Sequence, residues 1–102
     1  MQETAGAEKK VKTHTLSGNW ETREVWLDGQ RLDPGPSQRV KNHSPDGFNW
    51  SYAGSGPAQL ALAIMLKIRG TAKGYQDFKD DVIARLPRGN FQIEFLLTSE
   101  NI

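Results

Sequence analysis

The chain has 102 residues, the size of one domain, with 36% hydrophobic and 25% charged residues and a formal net charge of +1. That balance creates no broad basic field to attract nucleic acid and no acidic field to mimic it. There is no cysteine, which excludes disulfides, thiolate metal sites and a cysteine nucleophile, and fits a reducing cytoplasm.

The opening residues, MQETAGAEKKVKTH, are polar and lack the apolar stretch of a secretory signal. Residues 1–11 read as a flexible polar tail, 12–98 as a single domain and 99–102 as a C-terminal end. The longest apolar run, Leu60 to Leu66, is far short of the roughly 20 residues that span a bilayer, so a cytoplasmic protein with no membrane partner is expected.

A first strand is expected near Lys12 to Leu16, closing at Ser17-Gly18-Asn19. Asp28-Gly29 is a two-residue hairpin signal, because a type I′ turn needs positive φ at both central positions. Strands are placed at Thr22 to Leu27 and Gln30 to Leu32. The next segment, DPGPSQ, reads as a loop, since two prolines and a glycine cannot continue a ladder.

Ser44-Pro45-Asp46-Gly47 has the signature of a type I turn. Phe48, Trp50 and Tyr52 then alternate with Asn49, Ser51 and Ala53, a period of two that predicts a strand with one aromatic face. Gly54-Ser55-Gly56 ends that strand, and Pro57 sits where a helix starts. With Gly56 as N-cap, Gln59 becomes the third helical residue, and its side chain is expected to reach back as half a capping box. The helix from Pro57 to Arg69 is apolar nearly all round, so it is predicted to be buried on several sides, and Gly70 ends it. A second helix is predicted from Gly74 to Leu86, with Tyr75, Phe78, Val82 and Leu86 on its buried face and Pro87 as the stop. Phe91, Ile93, Phe95 and Leu97 alternate with polar residues as a half-buried strand. The sum is an α+β domain: a small antiparallel sheet, made of a hairpin plus further strands, packed against a helical hairpin with one fully buried helix.

The loop Asn42-His43-Ser44-Pro45, the pair Trp50-x-Tyr52, the hinge Gly54-x-Gly56-Pro57-Ala58-Gln59 and the later Phe78-Lys79 to Leu86-Pro87 form a long motif string. Over roughly residues 20 to 97 the chain resembles an uncharacterised family of small bacterial, plasmid and phage proteins, known as a domain of unknown function. The resemblance implies one compact domain and a life on mobile elements, and it brings no activity, cofactor or catalytic residue.

Several residues stand out as candidates for binding: Asn42, His43, Asp46, Gly54, Gly56, Gln59 and Trp26. The glycine hinge at a helix N-terminus would suit an anion. It has neither the lysine nor the spacing of a phosphate-binding loop, and a tight strand-to-helix corner is the favoured reading. His43 and Asp46 would serve as a base and its orienter. Alternatively, Asn42, His43 and Asp46 bond the loop backbone. A metal site from His14, His43 and Asp46 matches no ligand spacing, so no metal, cofactor or catalytic residue is assigned. Trp20, Trp26, Phe48, Trp50 and Tyr52 would form a stacking platform, with Lys9, Lys10, Lys12, Arg39 and Lys41 on phosphates. The bland reading packs these aromatics in the core, and an exposed tryptophan would mark a contact surface.

The residues point first to a non-enzymatic accessory or regulatory protein acting through protein–protein contacts, with an unknown protein partner. The alternatives are a nucleic-acid-associated protein, binding weakly through its basic tail, and a small-ligand binder or hydrolase at the loop and hinge of residues 42–59. Nothing in the sequence sets the oligomeric state.

Overall fold

The computed structural model describes residues 11–98. Its elements are β1 (Val11–Gly18), β2 (Val25–Leu27), β3 (Gln30–Arg31), α1 (Gly35–Val40), α2 (Ser55–Arg69), α3 (Tyr75–Asp81), a 3₁₀ turn (Ile83–Arg85) and β4 (Phe91–Thr98). The strands form one antiparallel sheet in the order β3-β2-β1-β4, so the fold is α+β as the pattern predicts.

β1 is the spine of the sheet. It pairs with β4 from Val11 opposite Thr98 to Gly18 opposite Phe91, and with β2 at its other edge. It opens at Val11, the last residue of the segment read as tail, with Lys12 in the strand as expected; residues 1–10, with Lys9 and Lys10, lie outside the described residues. The hairpin turn has φ +52 at Asp28 and +83 at Gly29, both left-handed as the type I′ turn demands. The Asp28 carboxylate also ties the hairpin back to β1. It accepts the Thr15 N–H at 2.9 Å and pairs with His14 Nδ1 at 2.7 Å, and this hydrogen bond from His14 is the main cause holding its carboxyl below the usual carboxylate range. The other ring nitrogen of His14, Nε2, is buried and has no hydrogen-bond partner among the described residues.

Three expectations are corrected. The DPGPSQ segment is not a loop: α1 spans Gly35–Val40. Its prolines fall at or before the first turn, where no N–H is required, and the Asp33 carboxylate accepts the Gly35 N–H at 2.9 Å. Residues 48–52 are not a strand. Phe48 and Trp50 are buried and Asn49 is half-buried, so the alternation is that of an extended chain with no ladder. Ser51, at φ +82, then turns the chain and leaves Tyr52 exposed. The predicted second helix leaves α geometry after Asp81 and tightens into the 3₁₀ turn. That change of period brings Ile83, absent from the expected face, into the core beside Phe78 and Leu86.

α2 fills the centre. Every residue from Gly56 to Met65 is buried, which its all-round apolar sequence required. Leu60, Ala61 and Ile64 share one core with Leu16, Val25 and Leu27 of the sheet and Phe78 and Ile83 beyond it. Each fully buried leucine or isoleucine there contributes about 1.5–3 kcal/mol. Gly70, at φ +73, closes the helix by donating its N–H to Leu66. Among the described residues, no helix is long and apolar enough to cross a membrane.

Candidate functional site

Gln59 does not reach back to cap α2. The N-cap is Gly54 and carries no side-chain cap bond. Gln59 lies on the buried side of the first turns, 0% exposed, and its amide faces the segment from Ser37 to Ser44. Its Oε1 accepts the N–H groups of His43 at 2.8 Å and Ser44 at 2.9 Å. Its Nε2 donates to Ser37 Oγ at 2.8 Å and to the Lys41 carbonyl at 3.1 Å. Two acceptor sites and two N–H donors are all a primary amide has, and all are used. Ser37, itself buried, donates its hydroxyl hydrogen bond to the Pro34 carbonyl. Gln38 secures the far side of the loop by donating to the Ser44 carbonyl at 2.8 Å. The turn at Ser44 closes as expected, with the Gly47 N–H on the Ser44 carbonyl.

The hinge glycines serve the same corner. A Cβ on Gly56 would lie 2.5 Å from the Asn49 Cβ and 3.2 Å from the Asn49 backbone nitrogen, so only glycine lets α2 start against that segment. A Cβ on Gly54 would strike the Tyr52 ring.

The other candidates separate. Asn42 and Asp46 are exposed. The His43 ring does not meet Asp46: its Nε2 sits 2.8 Å from the Tyr75 hydroxyl, which also accepts a bond from Gln76. The tautomer of the neutral His43 ring sets which of the two donates. Burial is the main cause that lowers the His43 pKa from 6.5, with the charges of Lys41 and Lys79 adding to it. A neutral histidine in the folded state keeps its contribution above 6.5 and loses it as pH falls through the lower folded value. The His43 ring is accordingly expected to titrate below 6.5 in an NMR pH series; a midpoint at or above 6.5 would contradict this site. Trp26 lies on the sheet face opposite the helices, between Val25 and Leu27, which point inward, and it pairs with Ser17 and Arg31. His14 is tied to Asp28, and no group of three or more metal-ligating side chains occurs among the described residues.

A site that sequence spacing does not reveal lies just outside the corner. Trp20, Arg23, Asn49, Trp50, Ser51, Tyr52 and Arg88 line a cleft of about 370 Å³. Its floor is Trp50, 0% exposed, which meets Trp20 edge-on at 5.7 Å and Phe91 at 5.0 Å. The Arg23 guanidinium lies 3.7 Å over the Trp20 ring, and its Nε donates to Asn49 Oδ1 at 3.0 Å. Arg23 and Ser51 are two of the three described non-glycine residues with positive φ, at +64 and +82. Such backbone strain gathers at functional positions. Asp46, Gly56 and Ser55 border an adjoining depression that shares Arg23, Asn49 and Tyr52. Trp20 and Tyr52 were visible as aromatic candidates. Arg23 falls in the strand expected from Thr22 to Leu27, and Arg88 is missed because the Trp20 loop and the segment before β4 meet across the fold, with the Trp20 N–H on Asn90 Oδ1 at 2.7 Å.

Fold and cleft together define a small α+β domain with a fixed aromatic and cationic surface. The chain belongs to a family of unknown function (DUF6166), whose profile matches residues 11–102. No curated protein and no solved structure matches it.

Proposed function

We propose that this chain is a non-enzymatic binding module that acts through contact with another protein, centred on the cleft of Trp20, Arg23, Tyr52 and Arg88. The observation that carries this reading is the pre-set Arg23: stacked at 3.7 Å on Trp20, bonded to Asn49 and held at φ +64, beside an exposed Tyr52. Tryptophan, tyrosine and arginine dominate the energetics of protein interfaces, and groups already in place lose less entropy on binding. The two arginines favour a partner that presents a carboxylate or another anion there. The cysteine-free sequence supports a reducing, cytoplasmic setting, and the family resemblance supports carriage on mobile elements in bacteria. The same cleft chemistry supports a second reading, stacking of single-stranded nucleic acid, but the net charge of +1 supplies little phosphate attraction beyond it.

The test is affinity capture of nuclease-treated host extract with the wild-type chain and with a Tyr52→Ala, Arg88→Glu double variant. The expected result is a captured protein whose recovery falls by about tenfold or more in the variant, with the melting temperature unchanged. Equal recovery would reject the protein-contact reading at this cleft. Capture seen only from extract not treated with nuclease, and lost at moderate salt, would put the nucleic-acid reading in its place.

A further inference from the structure

The sheet order leaves two edges, and they differ in kind. β3 is two residues long, and its Arg31 is paired with Glu24 at 3.1 Å. A short, charged edge offers little to a foreign strand. β4 is eight residues long, FQIEFLLT, with no proline, no glycine and one charge, Glu94. β1 is the only described strand paired with it, so a row of backbone N–H and C=O groups faces outward. Leu96, the sixth of the eight residues of this edge, is 68% exposed, the most exposed large hydrophobic among the described residues, and Val11, also exposed, lies diagonal to it across β1.

We infer that β4 is the pairing edge for a second copy of this chain, joined antiparallel about a two-fold axis at Leu96. The register follows from the side chains. Centred on Leu96, the pairing sets Leu96 against Leu96, Phe95 against Leu97, and Glu94 against residue 98 of the other copy. The two Glu94 carboxylates are then offset by four residues along the strands, about 13 Å, beyond the screening length of about 8 Å at physiological salt. Centring on Glu94 sets the carboxylates face to face, and centring on Phe95 sets them on a diagonal, both unfavourable. A two-fold axis through a residue also preserves the faces of the sheet. Phe91, Ile93, Phe95 and Leu97 stay on the helix side in both copies, and the two sheets become one of eight strands. Pairing along so short an edge covers less than the roughly 1,200–2,000 Å² of a stable interface, so the dimer is reversible and depends on concentration. This contact uses none of the cleft residues.

Sedimentation of the full chain over a wide range of concentration tests it. The wild type is expected to pass from monomer to dimer as concentration rises. Leu96→Lys, which sets two like charges on the axis at a solvent-facing position, is expected to remain monomeric with its melting temperature unchanged in dilute solution. Val40→Lys, which alters another exposed apolar residue on α1, is expected to dimerise as the wild type does. A wild type that stays monomeric, a Leu96→Lys variant that dimerises as the wild type does, or a Val40→Lys variant that loses the dimer as well would each overturn the inference. Stronger dimerisation after deletion of residues 1–10 would overturn it too, because it would identify that segment as the occupant of the edge.

Discussion

Replacing Gln59 by leucine is expected to destabilise the domain by about 3–5 kcal/mol, although leucine matches its volume closely. The size of the effect comes from what is left behind. The Ser44 N–H loses its partner outright, and the His43 N–H, the Ser37 hydroxyl and the Lys41 carbonyl each lose one of two bonds, since the His43 N–H still meets the Lys41 carbonyl and Ser37 still donates to Pro34. A buried polar group without a partner costs about 1–3 kcal/mol, and water reaches some but not all of these. A loss of that size is a large fraction of the 5–15 kcal/mol that typically holds a domain together. Gln59→Glu separates hydrogen bonding from shape. It keeps two acceptors for the N–H pair but cannot donate to Ser37 and Lys41, and it buries a charge, so it should be no better than leucine at neutral pH. Urea unfolding measures both. A loss under about 1 kcal/mol for leucine would mean that the loop from Lys41 to Gly47 does not depend on this amide.

Trp50→Ala is expected to cost about 3–5 kcal/mol, the range for truncating a large buried aromatic. Trp50 is fully buried, stands edge-on to both Trp20 and Phe91, and donates its indole N–H to the Gly89 carbonyl at 3.1 Å. Trp50→Phe should cost less, because most of the apolar contact survives and chiefly the Gly89 bond is lost. Trp50 is also the floor under Trp20 and Arg23. Its removal is therefore expected to abolish partner capture at temperatures where the variant is still folded, whereas a core truncation remote from the cleft, such as Ile64→Val, should leave capture intact. Equal capture by Trp50→Ala and Ile64→Val in their folded states would detach the cleft from its floor.

What could be read in the sequence was whatever is decided locally. Asp28-Gly29 needs only its own backbone preferences to form a type I′ turn, and the apolar surface of residues 57–66 needs only burial on all sides to become the central helix. Gly70 and the alternation from Phe91 to Leu97 are decided in the same way. What could not be read depends on partners distant in the chain. The period of two from Phe48 to Tyr52 reports alternating sides of an extended segment, and whether a ladder forms depends on a neighbouring strand that is not there. Gln59 has the spacing of a capping residue, yet four polar groups between Ser37 and Ser44 compete for its amide and win. The prolines at 34 and 36 look like breakers until they are placed in the first turn of α1. The cleft is the extreme case. Arg23 follows Trp20 by three residues, but Arg88 comes from a loop at the other end of the chain, and no pattern of spacing brings it to Trp20.

The dense stretch from Asn42 to Gln59 is, in this account, a corner stapled by a buried amide, with the contact surface beside it. Amide hydrogen exchange tests this most directly. In the wild type the His43 and Ser44 N–H groups should exchange as slowly as the loop ever opens, far more slowly than the exposed Asn42, and in Gln59→Leu both should become fast while the β1 amides stay protected. Fast exchange at His43 and Ser44 in the wild type, or protection that survives the loss of Gln59, would contradict the account.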